Sequence, residues 1–98
     1  MSEKWYWTVE STNETVRIGL TAKTLEELGE ISFVDLPKVG TILADGDSLA
    51  SVEATKAVLD FDTPFAGTVI AINTAAIDTP TTLNQASHDN NWLVDLKK

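Results

Sequence analysis

The 98-residue chain predicts an all-β fold with one short helix, and three observations carry that expectation. Apolar residues alternate at a period of two in short runs, Gly, Pro, Asn and Asp punctuate the runs, and only one stretch shows helical spacing. Strands this short cannot bury a face alone, so they are expected to pair into an all-β sandwich or barrel. Length allows one domain over residues 1–98 and no second.

Taken in order, W-Y-W-T-V over residues 5–9 opens as a strand with Trp5, Trp7 and Val9 on one face, because aromatic and β-branched side chains suit a pleated surface. The polar turn from Ser11 to Glu14 and the alternation of Val16, Arg17 and Ile18, ending at Gly19, complete a hairpin. Residues 22–28 form the helix, with Thr21 as N-cap, Leu25 and Leu28 three apart, and Gly29 as the stop. From Glu30 to Leu36 the pattern reads as a strand buried on both sides, Ile31 and Phe33 facing one way, Val34 and Leu36 the other, until Pro37 ends its ladder.

Two turn signals, 37–40 and 44–47, bracket the short apolar run at 41–43. A strand from Ser48 then places Ala50, Val52 and Ala54 on one face, and a returning arm does the same with Ala57, Leu59 and Phe61. Between them Ala54, Thr55, Lys56 and Ala57 make a hairpin tip, which stands Lys56 in water. On this local pattern alone such a lysine reads as solubilising charge. Thr63–Pro64 breaks the arm and residues 65–73 supply another strand. Residues 74–80 hold at most a helical turn, since the residue before Pro80 is pushed out of the α region, and 83–91 reads as polar loop. Trp92, Val94 and Leu96 share one face of a closing strand. Phe33, Val52, Leu59 and Ile72 are expected to fill the space between the sheets, and truncating Phe61 or Ile72 to cost about 2–5 kcal/mol.

Composition narrows the function. With 15 acidic against 7 basic residues the net charge of −8 repels phosphate backbones and anionic lipid, so neither nucleic acid nor membrane is an expected partner. The longest apolar run, 69–72, is far too short to span a bilayer, and the first seven residues lack the apolar core of a secretory signal, so a cytoplasmic monomer is the expectation. Zero cysteines exclude disulfides and thiolate chemistry. Ser87, His88 and Asp89 are the residue types of a hydrolase triad, but neighbours in sequence diverge, so His88 reads as a loop histidine. Asp45, Asp47, Glu53, Asp60 and Asp62 fit no calcium-loop spacing and read as a solvated acidic face, with no metal site. Gly40, Gly46 and Gly67 are isolated turn glycines rather than a phosphate loop. No enzyme with its own catalytic apparatus is legible.

One resemblance changes the reading of Lys56. V-R-I-G-L-T at 16–21, L-G-E-I-S-F-V-D-L-P-K-V-G at 28–40, D-G-D at 45–47 and V-E-A-T-K-A at 52–57, followed by Asp60, Thr63–Pro64 and G-T-V-I at 67–70, resemble the H protein of the glycine cleavage system in nearly collinear order. The likeness covers roughly residues 16–73 and then weakly Trp92–Leu93. It implies a barrel-sandwich hybrid of lipoyl- and biotinyl-carrier type, two small antiparallel sheets with lipoate in amide linkage on Lys56 at a hairpin tip. The attachment signature is met by Glu53 three residues before the lysine and Gly67 eleven after, both read as recognised by a lipoate ligase or lipoyltransferase. Thr55 and Ala57, in place of the methionines that flank the lysine of biotin carriers, favour lipoate. The implied role is a non-catalytic carrier of aminomethyl groups and reducing equivalents among glycine decarboxylase, aminomethyltransferase and dihydrolipoyl dehydrogenase. Its alternatives are a lipoyl relay protein, a lipoylated acceptor for a macrodomain-linked sirtuin that ADP-ribosylates in oxidative-stress signalling, and, last, an unmodified interaction module. The chain departs from the family where Lys4–Trp7 replaces a histidine-glutamate-tryptophan signature, where Ser87–Asn91 replaces a proline-tyrosine-glycine segment, and where it stops at Lys98 without a helical tail. A shortened H-like paralogue is therefore expected, with a shallow cleft beside the hairpin: dihydrolipoyl dehydrogenase reduces its arm readily, but it supports glycine decarboxylation poorly.

Overall fold

The computed structural model describes residues 4–11 and 13–98. Met1 to Glu3, and Thr12 of the expected 11–14 turn, lie outside the described residues. Among the described residues, eight strands form two antiparallel sheets. The larger has the order β1 (Tyr6–Glu10), β2 (Thr15–Leu20), β8 (Trp92–Lys97), β7 (Gly67–Ile72), β4 (Ile42–Leu43), and the smaller has β3 (Ile31–Asp35), β5 (Ser48–Ala54), β6 (Val58–Asp62). The expected two-sheet sandwich is thus the fold.

Alternation explains the core. Val16 and Ile18 of β2 pair in register with Leu96 and Val94 of β8, Leu20 continues their face, and β7 adds Val69; all six side chains are fully buried. Facing them, Val34, Ala50, Val52 and Phe61 close the smaller sheet. The helix α1 (Ala22–Leu28) covers one end as expected: the Thr21 hydroxyl accepts from the Thr24 N–H at 3.3 Å, and Leu25 and Leu28 point into the core. A second helix, α2 (Thr74–Asp78), is capped by Asn73 and runs into a 3-10 helix, Pro80–Asn84, that starts with its proline. The helical turn at 74–80 is therefore present, but the expected loop begins later than residue 83, because Leu83 is fully buried. No helix among the described residues is long and apolar enough to cross a membrane.

Bulges overturn two facial assignments, and a third fails ahead of β1. A register shift between Ile31 and Phe33 sets Phe33 opposite Glu53, so Ile31 and Val34 face the core while Phe33 lies outside and 52% exposed. Strand β3 is thus buried on one side only, and Phe33 is not part of the core; Leu59 and Ile72 pack at its margin, half-buried. A shift in the β2–β8 ladder sets Trp92 opposite Gly19, away from the face of Val94 and Leu96. There the Arg17 guanidinium lies 4.0 Å over the Trp92 ring and makes two hydrogen bonds to Asp95, at 2.8 and 3.0 Å, which raise the Arg17 pKa further. Trp5, before β1 starts, does not share the face of Trp7 and Val9: it stacks on Phe61 with ring centres 4.4 Å apart.

Trp7 explains His88. Its indole lies against Gly19, where any Cβ would collide with the ring, and its Nε1 donates to Asn91 Oδ1 at 2.9 Å. The His88 ring stacks on it at 3.7 Å and 8°. Ser87 Oγ accepts from the Asp89 N–H, so the three triad residue types make a turn and a stacking contact. Buried Asn73 and Asn91 tie the same segment down, Asn73 donating to the carbonyls of Asn90 and Trp92, Asn91 to that of Gln85.

Candidate functional site: a braced lysine turn

Strands β5 and β6 converge on Thr55, Lys56 and Ala57, and the Ala54 N–H donates to the Ala57 carbonyl at 2.9 Å to close the turn. The turn does not stand free. Its backbone is joined to the end of α1 by Lys56 N–H to the Leu28 carbonyl at 2.9 Å and Thr55 N–H to the Glu30 carbonyl at 3.0 Å. The Thr55 hydroxyl in turn accepts from the Glu30 N–H at 3.1 Å. These bonds satisfy a carbonyl that the helix end would otherwise leave open and fix the lysine Cα against a rigid element.

Gly29 makes the contact possible. Its φ of 77° and ψ of −151° fall in a region that residues with a Cβ avoid, and a Cβ there would lie 2.5 Å from Thr55 Oγ1 and 3.1 Å from Lys56 Cγ. The lysine stem therefore rests on Gly29 rather than projecting straight into water, and Nζ donates to the Glu26 carbonyl at 3.3 Å, at the negative end of the short helix. Asn84 holds the far side, donating to the Gly29 carbonyl at 2.8 Å and accepting from the Ile31 N–H at 2.9 Å. Between α1 and this asparagine an open groove of about 550 Å³ is lined by Ala22, Leu25, Glu26, Gly29, Lys56, Asn84 and Ala86.

The other residues singled out in the sequence divide. Ala54 and Ala57 frame the turn, both half-buried. Glu53 is exposed on the outward face of β5, one row from the turn. Gly67 is not brought to the lysine: β6 runs away from the turn, and Gly67 opens β7 beside Leu43, where a Cβ would sit 2.9 Å from the Lys97 carbonyl oxygen. Its observed part is close strand packing. Among the acids, Ser51 hydrogen-bonds Asp60 and the Asp47 carboxylate accepts from the Ala44 N–H. No group of three or more His, Cys, Asp or Glu among the described residues is placed to hold a metal ion. Sequence reading missed Asn84 and the bracing roles of Gly29 and Thr55; Gly29 was legible as a helix stop, but nothing local to it points at a turn 26 residues away.

A two-sheet β fold with a lysine on a braced hairpin turn is the barrel-sandwich of lipoyl- and biotinyl-carrier type. The family model for glycine cleavage H-protein matches residues 1–98, and the chain belongs to that family. It is 43% identical over 84 residues to the glycine cleavage system H protein of Prochlorococcus marinus strain SARG and 45% identical over 84 residues to that of Synechococcus strain CC9605, in each case 86% of this chain and 65% of the relative. It therefore spans just under two thirds of the length of these curated relatives. The crystal structure of an H protein from Mycobacterium marinum superposes with a TM-score of 0.84 at 34% identity, over 94% of this chain and 76% of that one.

Proposed function

We propose that this chain is a lipoyl carrier in glycine cleavage: Lys56 holds lipoate in amide linkage and presents it to glycine decarboxylase, aminomethyltransferase and dihydrolipoyl dehydrogenase, while the chain catalyses nothing itself. The observation that carries this reading is the turn. An arm that visits several active sites needs a fixed root and an accessible end, and Lys56 has both: a backbone tied to α1 and an exposed Nζ. The residues fit the group. Nζ makes one long bond to the Glu26 carbonyl, which an amide N–H can also make, and acylation removes a cation without stranding a buried partner. When bound, lipoate supplies a dithiolane that cycles between oxidised and reduced forms. The groove beside the turn offers the near end of the arm an apolar wall of Ala22 and Leu25. Glu53, exposed one row from the lysine, is the residue an acylating enzyme reads; Gly67 contributes by letting β7 pack against β8.

Treatment of the full chain with a bacterial lipoate–protein ligase, lipoic acid and MgATP should add one lipoyl mass, lost on Lys56→Arg without loss of fold. A lipoyl mass on Lys56→Arg would overturn the assignment. Glycine–bicarbonate exchange with the lipoylated chain beside a full-length H protein tests the metabolic role: comparable rates support it, whereas efficient lipoylation without exchange turns the reading toward a signalling acceptor.

A further inference from the structure

The outward face of the smaller sheet carries a row that the fold does not need. Phe33 of β3 stands opposite Glu53 of β5, and Glu53 opposite Val58 of β6, so the three lie side by side across the sheet, next to the Lys56 turn. Phe33 is 52% and Val58 66% exposed. Single exposed apolar residues are ordinary, but here two flank one carboxylate in a single row. Phe33 is outside only because of the β3 bulge; in unbroken register it would stand opposite Val52 and face the core. Ser32 supports the bulge by donating its hydroxyl to the Glu53 carbonyl. The next row holds Asp35, Ser51 and Asp60, and none of the chain's 7 basic residues lies within β3, β5 or β6. The face is apolar at the turn and anionic behind it.

We propose that the Phe33–Glu53–Val58 row is the docking surface for the enzyme that acylates Lys56, and that this enzyme presents an apolar pocket rimmed by basic side chains. The proposal rests on the carrier reading above. Reach selects the acylating enzyme over those served by the finished arm: five bonds of about 1.5 Å let an unmodified lysine extend roughly 6 Å at most, so its acylating enzyme must touch the scaffold around the turn. An enzyme that takes the longer acylated arm has no such requirement. The groove side of the turn is where the lysine stem lies, which leaves the sheet face as the wall against which a partner can seat. Apolar contact there supplies affinity, and charge complementarity with the carboxylates orients the approach.

The test is the acylation rate of full-length variants with the same ligase, lipoic acid and MgATP, read by intact mass. Phe33→Thr with Val58→Thr puts strand-compatible β-branched residues at both positions and should lower kcat/KM about tenfold, mainly through KM, with an unchanged melting curve. Val58→Thr alone should fall between, which keeps the question open to test if the double variant melts early. Ile42→Thr removes the most exposed large apolar side chain among the described residues, 80% exposed on the other sheet, and should leave the rate unchanged. Wild-type rates in both Thr variants, or an equal loss in Ile42→Thr, would overturn the docking face while leaving lipoylation of Lys56 intact. Absence of any lipoyl mass on the wild-type chain would overturn the carrier reading and the docking face together.

Discussion

Two glycines with left-handed φ sit in connections at opposite ends of the smaller sheet, and they do different things. Gly46, φ 90°, lies in the 44–47 turn that leads into β5; its N–H donates to the Thr63 carbonyl, and a Cβ there would meet nothing within 4 Å. Gly29, φ 77°, ends α1, and the space a Cβ would take is already held by Thr55 Oγ1 and the Lys56 stem. One glycine is required by backbone conformation alone. The other is also the floor on which the lysine turn is built, so the same residue type marks a simple connection at one end and the candidate site at the other.

Substitution measures that difference. Gly29→Ala should destabilise the chain by about 3 kcal/mol in urea denaturation, combining roughly 1–3 kcal/mol for a conformation that only glycine adopts easily with a similar roughly 1–3 kcal/mol for overpacking against Thr55. Gly46→Ala should cost about 1 kcal/mol, the left-handed penalty without a clash. Equal losses at the two sites would mean that the turn moves away from the helix end at little cost and that Lys56 is not braced.

The same contrast separates what the sequence discloses from what it hides. Period-two alternation placed the strands, Thr21 and Gly29 bounded α1, and alternation around Ala54–Ala57 found the hairpin, since each of these signals is local. Bulges defeated the facial assignments of Phe33 and Trp92, because one inserted residue turns every later side chain to the opposite face without changing the composition of the run. Leu83 escaped because a buried leucine in a polar stretch carries no period. At the candidate site, alternation placed Lys56 on the turn and only the family resemblance singled out Glu53, whereas the bracing by Leu28, Glu30 and Asn84 joins segments far apart in the chain and exists only once the sheets close.

Thr55 sharpens the comparison further. Thr55→Ala removes the acceptor for the Glu30 N–H and should cost about 1 kcal/mol, since an exposed amide can turn to water instead. The same change removes the atom nearest to where a Cβ at residue 29 would sit, leaving the flexible Lys56 stem at 3.1 Å. Gly29→Ala should therefore cost about 1 kcal/mol less in the Thr55→Ala background than in the wild type, a coupling measured by a double-mutant cycle. Strict additivity would place the penalty of Gly29→Ala in its backbone and the Lys56 stem and remove the Thr55 hydroxyl from the brace.

The smallest effect belongs to the lysine that the brace supports. Backbone bonds from residues 54 to 56 hold the turn, whereas the Lys56 side chain adds only a stem lying on Gly29 and one exposed 3.3 Å bond from Nζ to the Glu26 carbonyl. A cation near a helix end at the surface is worth about 0.3–1 kcal/mol, and α1 is only 7 residues long, which favours the low end. Lys56→Gln removes the charge as acylation would and keeps an N–H donor, so it should shift stability by about 0.5 kcal/mol or less while Gly29→Ala, whose backbone carries the turn, costs several times more. Thermal denaturation of Lys56→Gln beside wild type checks this. A loss above about 1 kcal/mol would show that the unmodified ammonium helps hold the turn, and acylation would then loosen the scaffold on which the arm depends.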